Sequence, residues 1–446
     1  MASYSIGAIV ALPVLLSAAN LNIDGISSHQ VLSRVHATAV SGRSMINGDL
    51  SLTVWSGQKQ VLQKVIAKLE PGEWKAAIPA LPAGGPYRLQ FRVAAESAQF
   101  DDVLSGDLWL LAGQSNMVGR ARLSESVAPD PNVRVLRASG EWEVASEPLH
   151  ESRPGPEGPI GAGLGLPFAK DMLRRSGVPV GLIPTAVGGT SLWQWDPTLR
   201  DEKSLYGNLL KQVRRAGGRV TGVLWYQGEA DARTDHTAEY PERMRRFVAM
   251  LRADLGDAQL PFYYVQIGRN ASPAKPPRTS LALNAIQDAQ LRLEPDLAPG
   301  VMTAAVDLEM EDYVHVNADG LRRLGLRLAH LASGGPSGPR PVEYIWQSEL
   351  RLRIRFSGVN GKLRADGRVV GFTLHDSEGQ EAAAYYRAWI PADPGNEVVL
   401  ELNPRTEIPD PLSLWYGFGA NPPCNILDSA DLPVPAFGPV QLPKRK

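Results

Sequence analysis

Residues 20 to about 102 set apolar against polar positions with period two. LSLTVWSG, KQVLQKVIAKL and YRLQFRVAA each alternate in this way, the pattern of strands with one face on a core and one in water. PGEW and PAGGPY place Gly and Pro where the chain must reverse between strands. A small β-sandwich is predicted for this stretch.

From about residue 103 the pattern changes. Five nearly continuous apolar runs follow: DLWLLAG, VPVGLIPTAVGG, VTGVLWYQG, LPFYYVQIG and GVMTAAVDL. Between and after them come the amphipathic stretches GLPFAKDMLRRSG, TAEYPERMRRFVAMLRADLG, SLALNAIQDAQLRL and NADGLRRLGLRLAHLAS. Apolar strands alternating with helices predict a parallel sheet covered on both faces, a three-layer α/β/α fold. In such sheets ligands bind beyond the carboxyl ends of the strands. The charged residues Arg243, Arg245, Arg246 and Arg252 read as a solvated helix face. ASGGPSGPRP (332–341) reads as a linker, and ASPAKPPRT (271–279) as a Pro-rich loop at the rim of the site. Beyond the linker LRLRIRFSG, VVGFTLHDS, AYYRAWIP and NEVVLELN return to period two. The organisation expected is a β domain over 1–102, an α/β domain over 103–335 and a second β domain over 336–446.

At 446 residues the chain exceeds one ordinary core, in keeping with several domains. A net charge of −1 with interspersed signs leaves no basic stripe for phosphates, so nucleic acid is not an expected partner. The single cysteine, Cys424, can form no intrachain disulfide and reads as a small apolar filler. Ile6 to Leu16 is an apolar run followed by Ser17, Ala18 and Ala19, which resembles a signal peptide over 1–19. The absence of Lys or Arg from Met1 to Ser5 and the interruption at Pro13 fit a retained strand instead, and both readings stand. No segment reaches the ~20 apolar residues needed to cross a bilayer as a helix, so no membrane partner is expected. A periplasmic or secreted location is favoured over the cytoplasm.

Four segments at strand ends carry candidate chemistry. In GQSNM, Ser115 reads either as a helix N-cap or as an exposed nucleophile on a strand-to-helix turn. In VGGTSLW, Gly188 and Gly189 allow the backbone to approach a ligand and donate an N–H, or simply form a tight turn. In WYQGEAD, Gln227 could aim its amide into the same cleft; Glu229 is an orienting candidate, whereas Asp231 reads as a solvated loop carboxylate. In DYVH, Asp312 lies three residues before His315 and reads either as a partner close enough to fix its tautomer and leave Nε2 for a serine hydroxyl, or as an unrelated neighbour of a lone surface His. Together they supply a nucleophile, a base with its orienting acid, and three oxyanion donors: the Ser115 N–H, the Gly189 or Gly188 N–H, and the Gln227 amide.

GQSNM, GGTSLW, WYQGEAD and DYVH, in this order, resemble the four sequence blocks of the SGNH hydrolase superfamily. More narrowly they resemble its sialate O-acetylesterase and acetylxylan esterase branch, in which Gln of a QGE segment replaces the usual Asn. SSHQVLSRV is similar to that branch's early "SDHMVLQR" stretch, GEWKAAIPALPAGGPYRLQF to the close of its N-terminal β region, and DLPVPAFGP to its typical chain end. The resemblance implies an SGNH-type sheet flanked by β-sandwich-type domains and a serine esterase removing acetyl groups from carbohydrates, foremost O-acetylated sialic acid. It implies Ser115 as nucleophile, His315 as base and Asp312 as its acid, with Ser115, Gly189 and Gln227 as the oxyanion hole. Asn116, Glu229 and Gly188 are candidate supporting residues. Trp193, Trp195 and Arg120 are candidate substrate contacts, with core packing for the tryptophans and a surface role for Arg120 as the alternatives. No metal or cofactor is expected, because His29, His36, His150, His236, His330 and His375 lack the spacing of zinc ligands. A polysaccharide deacetylase such as an acetylxylan esterase shares all of this chemistry. A lipase lacks support for want of a lid helix, and a carbohydrate-binding protein on a dead esterase core would have no need of all four positions.

Overall fold

The computed structural model describes residues 21–151, 160–233, 237–271, 278–382, 385–405 and 408–445. The apolar run over 1–19 and most of the Pro-rich loop over 271–279 lie outside the described residues.

The hinge of the architecture is one long strand, β1 (Glu96–Gly113). Its first seven residues are partly or wholly exposed, whereas Val103 to Gly113 are all buried. The first half closes an antiparallel sheet with the strands Gly84–Val93, Gly48–Ser56 and Lys59–Leu69. A two-stranded sheet, Thr38–Ser44 with Gly72–Ile78, provides the second layer. Leu50, Leu52, Val54, Leu89 and Phe91 fill the space between, with Val40, Trp74 and Ile78. The expected sandwich is present, but the expected border at 102/103 falls inside a continuous strand: the change of pattern marks where β1 leaves one sheet environment for another.

The second half of β1 lies at the centre of the α/β layer. The remaining strands of this layer are β2 (Val133–Leu136), β3 (Trp142–Val144), β4 (Val180–Pro184), β5 (Gly222–Tyr226), β6 (Phe262–Gln266) and β7 (Met302–Ala304). Their order is β7-β6-β5-β1-β4-β2-β3, parallel throughout except for β3, which pairs antiparallel with β2 at the edge. The helices are α1 (Ser115–Val118), α2 (Gly165–Ser176), α3 (Leu205–Arg215), α4 (Tyr240–Asp254), α5 (Arg278–Arg292) and α6 (Ala318–Ala332). The five apolar runs are β1, β4, β5, β6 and β7. The pair β2–β3 and helix α3 went unrecognised in the pattern. Ser204 caps α3 by accepting from Gly207 N–H, and Asn317 caps α6 by accepting from Gly320 N–H.

After α6 the chain forms a β-sandwich from two four-stranded sheets. One contains Arg340–Ser348, Arg351–Ser357, Glu397–Leu402 and Tyr385–Trp389; the other contains Phe372–His375, Ser413–Tyr416 and Phe437–Gln441 with the short Glu381–Ala382. Leu352, Ile354, Leu400, Leu414 and Tyr416 share its core with Cys424. Burial pushes the Cys424 thiol up to about 12, so it packs as an inert apolar residue.

Candidate active site

β4, β1 and β5 are neighbours, and the chain leaving each passes directly into GGT, QSN or QGE respectively. Their ends are stitched together. Gln114 N–H donates to Tyr226 O at 2.8 Å, and Val187 N–H to Gly113 O at 3.0 Å. Gly113 adopts φ +130°, and a Cβ there would lie 2.2 Å from the Tyr226 carbonyl oxygen. Only glycine permits this approach.

Ser115 is the first residue of the four-residue α1 and is 3% exposed. The N-cap position belongs to Gln114, so the capping alternative for Ser115 does not hold. Among the described residues neither the Ser115 hydroxyl nor its N–H has a hydrogen-bond partner. Across the cleft Gly189 is exposed at φ +66°, and its N–H likewise has no acceptor among the described residues. Two backbone donors and a hydroxyl are therefore available at adjacent strand ends.

Gln227 ends β5 as expected, but it is fully enclosed. Its Nε2 faces Thr190 O at 3.1 Å, Gln114 Oε1 at 3.3 Å and the Asp231 carboxylate. Gln114 Oε1 also accepts from Gly228 and Ala230 N–H. Asp231 is not the solvated carboxylate expected from sequence. It is 2% exposed and accepts Leu192 N–H through both oxygens, at 3.2 and 2.9 Å, which pins the GGTSLW loop to the QGEAD loop. Burial raises its carboxyl above the usual range, and the Leu192 and Gln227 donors only partly oppose this.

His315 arrives from the opposite side, on the loop between β7 and α6. Its Nδ1 lies 2.7 Å from Asp312 Oδ2, while Asp312 Oδ1 accepts from the Val314 and His315 N–H groups at 2.8 Å each. Burial pulls the Asp312 carboxyl up, but the His315 ring and the two N–H donors outweigh it and hold the group below its ordinary value. Asp312 stays ionised and engages Nδ1, so Nε2 is the ring nitrogen that points away from it. The loop is tied to the nucleophile turn by Asn116. Its Nδ2 donates to Val314 O at 3.2 Å and to Glu229 Oε1 at 2.7 Å, and its Oδ1 accepts from Val316 N–H at 3.0 Å.

The two candidate tryptophans separate. Trp195 is wholly buried, donates from Nε1 to Thr190 Oγ1 at 3.0 Å and packs edge-on to Trp225. It belongs to the core and cannot meet a sugar. Trp193 is half exposed, with the Arg243 guanidinium 3.7 Å above its ring. Arg243 is thus stacked on an aromatic ring and not merely a solvated helix charge, and is held in turn by Glu239. Gly188 is half-buried beside Gly189, and Arg120 is half-buried just past α1, where Ala121 pairs with Ala162.

A parallel sheet that gathers a serine turn, a glycine loop, a glutamine turn and an Asp–His loop at its carboxyl edge is the architecture of the SGNH esterases. Residues 105–333 match the family model for the carbohydrate esterase, sialic acid-specific acetylesterase family, and the chain belongs to that family. It is similar to a probable carbohydrate esterase of Arabidopsis thaliana, 32% identical over 246 residues that cover 50% of this chain and 88% of the plant protein. It is also similar to the human sialate O-acetylesterase, 28% identical over 252 residues, or 46% of this chain and 48% of the human one. The match thus spans about half the length of the human relative. In fold it is similar to a carbohydrate acetylesterase from Xanthomonas citri, with a TM-score of 0.73, 24% identity, and coverage of 94% of this chain and 99% of that one. The protein is a carboxylic ester hydrolase of the carbohydrate acetylesterase class.

Proposed function

We propose that the protein removes O-acetyl groups from sialic acid through an acetyl-enzyme on Ser115. The observation that carries the serine mechanism is the pairing of an unpartnered Ser115 hydroxyl with a His315 ring fixed by Asp312 on a loop bonded to the residue next to Ser115. His315 Nε2 takes the hydroxyl proton as Ser115 Oγ bonds to the acetyl carbon. The carbonyl electrons move to oxygen, and the Ser115 and Gly189 N–H groups donate hydrogen bonds to the resulting oxyanion. Gln227, whose two amide hydrogens serve Thr190 O and the Asp231 carboxylate, adds a third donor by releasing Thr190 O for the oxyanion. On collapse the bond to the sugar oxygen breaks, and that oxygen leaves with the proton from His315. Water repeats the sequence and releases acetate. Apo sites of this kind close their catalytic hydrogen bonds only with substrate in place.

The sialate preference is supported by the family description and by the names of the mammalian relatives. Acetate release from 9-O-acetyl sialic acid, acetylated xylan and acetylated glucose tests it, with the highest kcat/KM expected on the first. The mechanism is tested by Ser115→Ala, which is expected to lose at least about 10³-fold in kcat and all labelling by a fluorophosphonate. Wild-type turnover in folded Ser115→Ala protein would sink it.

A further inference from the structure

His315 has a placement problem that the sheet does not solve. The serine, glycine and glutamine turns leave three adjacent strands whose register is fixed by backbone pairing. The histidine loop leaves β7, which is separated from β5 by β6. It must cross the ends of β6 and β5 to reach Ser115, which follows β1, and ladder hydrogen bonds say nothing about where such a loop stops. Its internal order is local: Met310 bridges Val316, and Asp312 gathers the N–H groups of 314 and 315. These bonds shape the loop without attaching it to the nucleophile.

The loop is held at its outer side by Arg122 on Glu311 at 3.0 Å and by Ala271 N–H on Tyr313 O at 2.7 Å, and its attachment to the turn that holds Ser115 is a buried side chain. Asn116, the residue after Ser115, is 1% exposed and sits on a helix turn that is itself fixed to β5 through Gln114. Its carboxamide reads the backbone on both sides of His315, donating to the carbonyl before it and accepting from the N–H after it. A primary amide can do both at once and still hold a second hydrogen to donate elsewhere. The remaining amide hydrogen goes to Glu229 at 2.7 Å, which is 3% exposed and comes from the loop that leaves β5. The carboxylate permits one orientation of the carboxamide, because a flipped amide would set its oxygen against Glu229 and its NH₂ against Val316 N–H.

We infer that Asn116, locked in one orientation by Glu229, is the positioning residue that sets the His315 ring against Ser115. The inference rests on the serine–histidine mechanism proposed above and adds two positioning residues to it. It also explains why GQSNM and QGE contain polar residues that need not touch substrate. Neither residue transfers a proton; each acts through the location of His315.

The test uses two esters that lack a sugar and differ in how much they need His315. 4-Nitrophenyl acetate expels a stable phenolate, whereas ethyl acetate expels an alkoxide that must be protonated as it leaves. Displacing the histidine by about 1 Å costs on the order of 10²-fold where its proton is required. Asn116→Ala is therefore expected to lower kcat/KM about a hundredfold on ethyl acetate and roughly tenfold less than that on 4-nitrophenyl acetate. A loss of folded enzyme or a general loosening of the cleft would lower both equally. Asn116→Asp sets two carboxylates face to face and is expected to behave like the alanine variant. Asn116→Asp combined with Glu229→Gln restores a donor–acceptor pair at unchanged net charge and is expected to recover at least about tenfold on ethyl acetate. This rescue carries the test if Asn116→Ala does not fold. Equal losses on both esters, unchanged rates in Asn116→Ala, or no rescue in the double variant would each overturn the inference. Ser115→Ala assayed in parallel separates the two readings: if it remains active the serine mechanism fails, and if it is dead while the Asn116 variants behave as wild type only the positioning role fails.

Discussion

At the scale of single residues, the candidate set is legible because the chemistry it offers is carried by residue type and short spacing. Ser115 after an apolar strand, paired glycines, and an Asp three residues before a His can be recognised before any packing is known, and the structure gathers them at one sheet edge. What could not be read is what a side chain meets across the fold. Asp231 looks like any loop carboxylate until Leu192 and Gln227 close over it. Trp193 and Trp195 are two positions apart in an identical local context, yet the first faces solvent and the second is enclosed by Trp225 and Phe247. The exposed ring leads to a prediction about binding. If Trp193, braced by Arg243, offers a face to a sugar ring, then Trp193→Ala removes an aromatic contact worth about 1 kcal/mol. KM for an acetylated sugar is expected to rise roughly fivefold, while kcat/KM for 4-nitrophenyl acetate stays within about twofold of wild type. An equal change for both substrates would return Trp193 to a structural role.

Elements were legible in proportion to their length and to how far burial alone dictates them. β1, β5 and β6 are continuous apolar runs because both sheet faces are covered, and α4 and α6 repeat apolar positions over four turns. The edge pair β2–β3 is four and three residues long, too short for a period to emerge. The loop that follows that pair holds a feature no pattern announces. Glu147 is half-buried there, accepting from Gly163 N–H at 3.1 Å and Leu149 N–H at 3.0 Å. Burial raises its carboxyl to about 7, against the opposing pull of those donors and Arg137. Because its folded value lies above the unfolded one, the protonated acid stabilises the fold at low pH, and that contribution is lost as pH rises through about 7. From the shift, ionising Glu147 costs on the order of 3 kcal/mol. Glu147→Gln cannot ionise, and any mismatch of its amide with the two N–H donors is independent of pH. The stability of wild type relative to Glu147→Gln, measured by urea unfolding, is therefore expected to fall by about 2 kcal/mol between pH 5.5 and 8.5, the rest of the loss lying below pH 5.5. A difference that stays flat across this range would mean the carboxyl titrates normally.

For the whole molecule, the Gly/Pro/Ser linker at 332–341 suggests two units on a loose tether, and the seam between them is nothing of the kind. Gln266 at the end of β6 exchanges two hydrogen bonds of 2.8 Å with the backbone of Ala436, pairing the parallel sheet to the last segment of the chain. Asn284 of α5 does the same with Gly417 and Gly419. Below them Arg327 of α6, 1% exposed, holds Asp307 through two hydrogen bonds and reaches the Asp431 backbone carbonyl at 2.6 Å. Arg323 bridges the same two aspartates. The C-terminal sandwich thereby grips the helix that begins three residues after His315, at the end of the loop that holds that ring. Two arginines of this cluster differ in burial and allow a direct comparison. Arg327→Met fits the cavity but leaves Asp307 buried with only Arg323 near it, a loss expected to cost about 3 kcal/mol. Arg364 reaches Asp431 at 3.0 Å from a half-exposed position, and Arg364→Ala is expected to cost less than about 1 kcal/mol. Urea midpoints of the two variants should differ accordingly, with Arg327→Met also losing activity before global unfolding as α6 loosens. Equal small shifts in both would mean that the apolar contacts of the seam, and not its ion cluster, hold the sandwich against the catalytic layer.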